Sequence, residues 1–143
     1  MLVVDTSVAV KWVVPENPEN IEAATDIALS LLTRGLLAPD CMLAEFANAM
    51  FKKVRRAEIP QEQARQSVAI LPSLVSFLPT SALVAPALDL AMRINHPIHD
   101  CIFLVMAVQN DLPLITSDEK FVTRCRADGA TYPIHSLAER SWL

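Results

Sequence analysis

The stretch MLVVDTSVAV (residues 1–10) places one acid, Asp5, behind four apolar residues and ahead of two hydroxyl side chains. An apolar run that stops at an acid is typical of a buried strand that has reached the surface of a sheet. The pattern predicts a strand over residues 2–4 and a short helix over 6–13, stopped by Pro15. Taken alone, Asp5 would be the N-cap of that helix.

The composition indicates one globular domain over residues 1–143, because 52% of the residues are apolar and 20% are charged. The longest apolar run, residues 101–108, is too short to span a bilayer, and no basic segment precedes an apolar core at the N-terminus. Neither a membrane span nor a signal peptide is therefore expected. Three scattered cysteines without a CxxC pair favour reduced thiols in the cytoplasm.

Charge and glycine content exclude two further classes of protein. A net charge of −4 argues against broad non-specific binding to nucleic acid, although it leaves room for a local basic strip. With only two glycines, the chain contains no glycine-rich loop that could cradle a phosphate.

Apolar periodicity and turn residues divide the rest of the chain into alternating helices and strands. Five short strands separated by helices predict an α/β fold with parallel β-α units in a doubly wound sheet. The predicted elements are a helix over 18–34 ending at Gly35, a strand over 36–38, a helix over 40–57 capped by Asp40, a helix over 60–74, a strand over 75–78, a helix from a cap at Thr80 or Ser81 to 95, a helix over 100–110, a strand over 112–116, a helix over 119–127 closed by Gly129 and a strand over 131–133.

Four acidic residues fall where such a sheet has its functional edge. Asp5 follows the first strand, Asp118 comes two residues after the strand that ends at Thr116, and Asp100 opens the helix before that strand. Glu45 lies one turn into the helix that follows the second strand. Because ligands of open α/β sheets bind outside the carboxyl ends of the strands, all four acids can face one edge.

The four acids allow two interpretations. Asp5, Asp100 and Asp118 could each be an ordinary helix cap. Glu45 differs, because no backbone donor needs a carboxylate inside a helix. Four converging carboxylates cannot all ionise unless a cation compensates them, and oxygen ligands favour Mg²⁺ or Mn²⁺ over zinc. Such an ion can activate water against a phosphodiester.

Basic residues continue along the helix of Glu45, one to three turns further on. They could hold a strand of RNA, and an ordinary solvated helix face is the alternative interpretation. Lys11, near the end of the first helix, could reach a phosphate in the same way. The basic residues of the longer helix are Lys52, Lys53, Arg55 and Arg56.

Three segments, in this order, resemble PIN-domain ribonucleases, and most closely the VapC-type toxins of bacterial toxin–antitoxin pairs: VVDTSVAVKW, LAEFANAM and IHDCIFLVMAVQNDLPLITSDEKF. The resemblance covers nearly the whole chain. It implies that four residues are the catalytic acids and metal ligands, that three hydroxyl residues support them and that one amide lines the site. These are Asp5, Glu45, Asp100 and Asp118, then Thr6, Ser7 and Thr116, and finally Asn48.

The resemblance also implies the fold, the reaction and the partners. The family has a five-stranded parallel sheet in the order 3-2-1-4-5 between layers of helices, and its members commonly dimerise. They cleave RNA with Mg²⁺ or Mn²⁺, and a cognate antitoxin silences the toxins by inserting its C-terminal segment into the cleft. The sequence departs from the family at His99, where Tyr is frequent, and His96 is expected in a loop.

Two other functions remain open from the sequence. One is a phosphatase-like enzyme with Asp5 as nucleophile, although such enzymes need a second Asp two residues later, where this chain has Ser7. The other is a non-catalytic PIN-like binding domain whose acids serve only as caps. The presence of all four acids favours the nuclease over both.

Overall fold

The fold is built on one sheet of five short parallel strands. The computed structural model describes residues 1–13, 21–139 and 142, with the backbone alone for residues 21–25. The strands lie in the order β3-β2-β1-β4-β5, and every neighbouring pair is parallel. This confirms the α/β class and the strand order. The strands are β1 (Leu2–Val4), β2 (Leu36–Pro39), β3 (Ser76–Leu78), β4 (Leu114–Thr116) and β5 (Ile134–Ser136).

Helices connect the strands in sequence, as parallel pairing requires. Single 3₁₀ turns follow α2, precede α5 and follow β5. Pro15 and Pro18, predicted to stop the first helix and to begin the second, lie outside the described residues. The α-helices found in the described residues are α1 (Thr6–Lys11), α2 (Ile21–Ser30), α3 (Cys41–Arg55), α4 (Gln61–Leu74), α5 (Val84–Ile94), α6 (Ile98–Gln109) and α7 (Glu119–Ala127).

Helix α6 is the centre of the core. Residues 101–107 are all buried, so this helix is covered on every side, and it packs against β1 and β2. Phe103 of α6 and two phenylalanines of other helices, Phe46 and Phe121, are fully buried in this core, and burying side chains of this size stabilises the fold by about 1.5–3 kcal/mol each. In the described part of the chain, no helix is both long and apolar enough to cross a membrane.

Two predicted boundaries are wrong by a few residues. The last strand is Ile134–Ser136 and not 131–133, because the ladder with β4 starts at Pro133, whose carbonyl accepts the Leu114 N–H at 2.7 Å. Helix α6 begins at Ile98, directly after Pro97, whose fixed φ suits a helix start. Asp100 is therefore the third residue of α6 and neither its cap nor its first residue.

Asp40 is the N-cap residue of α3, as predicted, but its side chain does not cap the helix. The predicted cap of α5 is wrong, because Thr80 precedes a 3₁₀ turn and Leu83 is the N-cap residue of α5. Asp40 makes no capping hydrogen bond with α3; its Oδ1 accepts the Thr80 hydroxyl at 2.6 Å and the Thr80 N–H at 3.1 Å. The Thr80 hydroxyl in turn accepts the Cys41 N–H at 3.0 Å. Thr80, from the end of β3, thus caps the helix that carries Glu45.

We expect the substitution Thr80→Val to lower the free energy of unfolding by about 1 kcal/mol, because it leaves the Cys41 N–H and Asp40 without the shared hydroxyl. Urea unfolding followed by circular dichroism measures the change. Ser81→Ala removes the neighbouring exposed hydroxyl and is the matched control. Equal stability of the two variants would show that Thr80 does not anchor α3.

Candidate metal centre

The candidate site lies where the strand order reverses direction. β1 pairs with β2 on one side and with β4 on the other. In a sheet of this order a crevice opens at the carboxyl ends of β1 and β4. Asp5 directly follows β1, Thr116 is the last residue of β4, and Asp118 comes two residues later. The two strand ends therefore bring these three side chains to one edge of the sheet, as the sequence predicted.

Asp5 is buried, with 3% of its surface exposed, and hydroxyl groups hold it in place. The Ser7 hydroxyl donates to Oδ1 at 2.5 Å and the Thr116 hydroxyl donates to Oδ2. Oδ1 also accepts the Val8 N–H at 3.4 Å, so Asp5 is the N-cap of α1 as well. The cap interpretation of Asp5 is correct, but it accounts for only one of these bonds.

Thr116 and Ser7 also tie Asp5 to the chain around Asp118. The Thr116 hydroxyl accepts the Asp118 N–H at 3.0 Å, and the Ser7 hydroxyl accepts the Ser117 N–H at 3.1 Å. Asp118 caps α7 by accepting the Phe121 N–H on Oδ1 at 3.1 Å. One hydroxyl, on Thr116, thereby connects both acids of the crevice.

Glu45 reaches the site from α3 and is held by the start of α1. The Thr6 hydroxyl donates to Oε2 at 2.7 Å, across 39 residues of sequence. The other carboxylate oxygen, Oε1, is buried and has no hydrogen-bond partner among the described residues. The nearest cation-forming group is His99, whose Nδ1 lies 3.7 Å from Oε1 on a largely exposed side chain. A buried carboxylate oxygen without a donor is suited to a cation.

Asp100 stands in the first turn of α6, between the other acids. Its Oδ2 lies 2.7 Å from Nε2 of His96, a residue of the loop before α6. His96, Asp100 and Asp118 each offer one ligand atom, and these three atoms lie within 4.8 Å of one another. Among the described residues this is the one group of three or more His, Cys, Asp or Glu side chains close enough to share a metal ion. Asp5 and Glu45 do not belong to it, but the charge of Asp100 raises the pKa of both.

The charges of the acids act on one another. Burial raises the pKa of Asp5 to about 7, against the opposing hydrogen bonds from Ser7 and Thr116, and the negative charge of Asp100 raises it further. Burial also raises the pKa of Glu45. The hydrogen bond from Thr6 opposes this rise, and the negative charge of Asp100 adds to it. The charge of Asp100 therefore raises the pKa of two of the other three carboxylates, those of Asp5 and Glu45. Three features of the site fit a divalent cation: the ligand atoms of the acids are carboxylate oxygens, Glu45 Oε1 has no hydrogen-bond partner among the described residues, and the negative charges repel each other.

The other predicted residues lie further from the four acids. Asn48 is exposed, one turn beyond Glu45 on α3. Lys52, Arg55 and Arg56 are exposed around the end of α3. Lys11 is half-buried in the last turn of α1.

Lys53 does not belong to this basic strip. It is only 8% exposed, and its Nζ lies 3.1 Å from Glu58 Oε2. Helical spacing turns its side chain toward the core, where the aliphatic stem is buried and the ammonium group reaches an acid.

His96 is the site residue that the sequence reasoning missed. Its position in a loop is confirmed, but it is 8% exposed and it contacts Asp100. The spacing His96–Asp100 is i,i+4, which looks unremarkable because Pro97 separates the histidine from the helix. The available signal was Pro97 itself: it has no N–H, so Asp100, the third helical residue, cannot form a capping box with the N-cap residue and can accept from another donor.

Several known proteins are similar to this chain. The family model of the PIN domain matches residues 2–126. Ribonuclease VapC1 from Mycobacterium tuberculosis, in strains CDC 1551 / Oshkosh and ATCC 25618 / H37Rv, is 29% identical over 99 residues, which are 65% of this chain and 74% of the relative.

Two solved structures have the same fold. PAE2754 from Pyrobaculum aerophilum superposes with a TM-score of 0.70 at 17% identity, covering 96% of this chain and 91% of that one. A chain of VapBC2 from Rickettsia felis, solved with a DNA fragment from the promoter, superposes with a TM-score of 0.61 at 15% identity, covering 94% and 97% of the two chains.

The raised pKa of Asp5 predicts how the stability of the metal-free protein depends on pH. In the unfolded chain Asp5 titrates near 3.8 and in the fold near 7, so the folded state binds the proton more readily between these values. The free energy of unfolding should therefore fall as the pH rises from about 4 to about 7 and then level off, by on the order of a few kcal/mol. Asp5→Asn removes this component.

The measurement is urea unfolding in EDTA at a series of pH values, for the wild type and for Asp5→Asn. We expect the stability of the wild type to decline relative to the variant across that window. Asp89→Asn, at an exposed position of α5, is the matched control and should follow the wild type. Parallel curves for the wild type and Asp5→Asn would contradict the buried, raised state of Asp5.

Proposed function

Because this chain belongs to the PIN-domain family, we propose that it is a metal-dependent endoribonuclease, the VapC-type toxin of a toxin–antitoxin pair. The observation that carries the proposal is the geometry of the acids: Asp100 and Asp118 offer ligand atoms within 4.8 Å of each other, and Glu45 Oε1 is buried without a hydrogen-bond partner among the described residues. Similar proteins support it: VapC1 of Mycobacterium tuberculosis is a ribonuclease, and VapBC2 of Rickettsia felis was solved with a DNA fragment from the promoter.

Mg²⁺ or Mn²⁺ would be held by four carboxylates, those of Asp5, Glu45, Asp100 and Asp118. When bound, such an ion lowers the pKa of water and offsets negative charge on a phosphodiester in displacement. The protein supplies the fixed geometry. Thr6, Ser7 and Thr116 donate hydrogen bonds that orient the carboxylates of Glu45 and Asp5 and oppose the rise of their pKa that burial causes.

The basic end of α3 would bind the phosphates of the RNA. Lys52, Arg55 and Arg56 follow Glu45 at a distance of two to three turns, and Lys11 lies at the end of α1, which starts beside the acids. The Arg55 guanidinium lies 5.7 Å from the centre of the Phe51 ring, a cation–π contact that orients it at the surface. A local strip of this kind suits a chain whose net charge is negative.

The geometry disfavours the phosphatase alternative. A nucleophilic carboxylate must approach phosphorus directly, whereas Asp5 is 3% exposed and hydroxyl groups occupy both of its oxygens. A small cation can still use the remaining lone pairs. The non-catalytic alternative gives no reason for Glu45, a carboxylate inside a helix with one unpartnered buried oxygen.

The proposed partners are a cognate antitoxin and a second copy of this chain, in the cytoplasm. For the homodimer, α5 carries an exposed apolar stripe at helical spacing, formed by Val84, Leu88 and Met92. For the cytoplasm, Cys101 and Cys125 are buried free thiols. A small neighbouring gene whose product has a DNA-binding N-terminus would support the antitoxin.

We expect Glu45→Gln to reduce RNA cleavage in Mg²⁺ or Mn²⁺ by roughly 100-fold or more, because it removes one charged ligand. The amide oxygen can still accept the Thr6 hydroxyl, and one repelling charge disappears, so the metal-free variant should be as stable as the wild type or more stable. Cleavage of a fluorescent RNA and thermal unfolding in EDTA give the two values.

Glu62→Gln, at an exposed position of α4, is the matched control and should leave cleavage unchanged. Cleavage by the wild type should stop in EDTA and return with Mn²⁺. Activity that survives chelation or the Asp5→Asn substitution would refute the metal centre. A loss of metal-free stability in Glu45→Gln would instead make Glu45 a structural residue.

A further inference from the structure

The His96 side chain has no part in the proposed set of ligands, yet the chain holds it firmly against that set. Helix α5 ends at Asn95 in the left-handed conformation, with φ of 54°, and the His96 N–H bonds back to the Ala91 carbonyl at 3.1 Å. This is the hydrogen bond of a Schellman-type helix end, and it fixes the backbone of the loop. The position of the imidazole is therefore well defined, and only 8% of the residue is exposed.

The imidazole is the hydrogen-bond partner of the acid in the first turn of α6. A capping box, in which the third helical residue accepts the N–H of the N-cap residue, cannot form here because the N-cap is Pro97, which has no N–H. His96 Nε2 lies 2.7 Å from Asp100 Oδ2 instead. Because an ionised carboxylate only accepts, Nε2 carries the proton and donates it to this bond.

A second contact connects His96 to Asp118. The imidazole stacks on the Phe121 ring with 4.5 Å between the ring centres and 11° between the planes. The N–H of the same Phe121 binds Asp118 Oδ1 at 3.1 Å. The residue on which His96 stacks therefore also binds Asp118 through its backbone, and the ligand atoms of Asp100, Asp118 and His96 lie within 4.8 Å of one another.

We propose that His96 is a positioning residue: its Nε2–H orients the Asp100 carboxylate toward a cation shared with Asp118, without itself binding the cation. This rests on the proposed function, since it concerns the same metal centre. With Oδ2 bound to Nε2, rotation of the Asp100 carboxylate is restricted before any ion arrives, and Oδ1 would be available to the cation. An outer hydrogen bond of this kind raises the affinity of a metal site by holding its ligand.

The test compares two replacements of the same ring. His96→Phe keeps an aromatic ring to stack on Phe121 but has no donor, whereas His96→Gln keeps an N–H donor without the ring. We expect Mn²⁺ affinity, measured on the metal-free protein by calorimetry, to fall roughly 10- to 100-fold in His96→Phe and to recover in large part in His96→Gln. His135→Phe, on β5, is the matched control and should bind Mn²⁺ like the wild type.

Equal affinities of His96→Phe and the wild type would overturn the proposal, and so would a His96→Gln variant no better than His96→Phe. Pulsed electron paramagnetic resonance of the Mn²⁺ protein gives a separate readout. Strong coupling to an imidazole nitrogen would make His96 a ligand and overturn its positioning role, whereas its absence supports that role. If His96→Phe does not fold in circular dichroism, His96→Leu replaces it as the variant without a donor.

The outcome also separates this inference from the proposed function. If the Mn²⁺ affinities of the wild type and the variants follow the expected order but no RNA is cleaved, the positioning role is supported and the ribonuclease activity is refuted. If RNA is cleaved only with Mn²⁺ while the His96 variants match the wild type in affinity and rate, the ribonuclease stands and the positioning role falls.

Discussion

The candidate centre depends on the way the carboxylates of Asp5 and Glu45 are held, which is by hydroxyl groups and not by lysine or arginine. Thr116 donates to Asp5 and accepts the N–H of Asp118, while Thr6 donates to Glu45. In the described residues, no lysine or arginine lies within 4.0 Å of these acids or of Asp100. A hydroxyl orients a carboxylate without cancelling its charge, so the crevice keeps the negative charge that a divalent cation needs.

Much of this centre could be predicted from the sequence because its positions follow from strand ends. The apolar run before Asp5 and the one before Thr116 each predict a buried strand, and parallel strands place their carboxyl ends at one edge. The last strand was misplaced because residues 131–133 look locally like strand, with Thr and Tyr. Its true position, Ile134–Ser136, is determined by pairing with Leu114, which no local pattern contains.

Contacts between segments distant in the sequence explain why the cap of α3 and the role of His96 were not predicted. Residue type makes Asp40 a good cap for the helix that follows it, yet its carboxylate binds Thr80 from another strand, and Thr80 takes over the cap. The same holds for His96. From the sequence it is an ordinary loop residue, and only the fold brings its ring into contact with Asp100 and Phe121. Local preferences predicted the elements, and long-range partners decided which polar groups meet.

The acids cannot escape their repulsion by moving, because each is attached to a rigid element. Asp100 stands on α6, which is buried over residues 101–107, and Asp5 ends the central strand β1. Side chains free to move would separate and lower the electrostatic cost. Asp5 cannot, and its pKa rises to about 7, mainly through burial and further through the charge of Asp100, so that it takes up protons more readily. A bound cation would replace those protons and relieve the repulsion, so the fold and the metal should stabilise each other. His96 fits this scheme, since it orients Asp100 by one donated hydrogen bond from a buried ring.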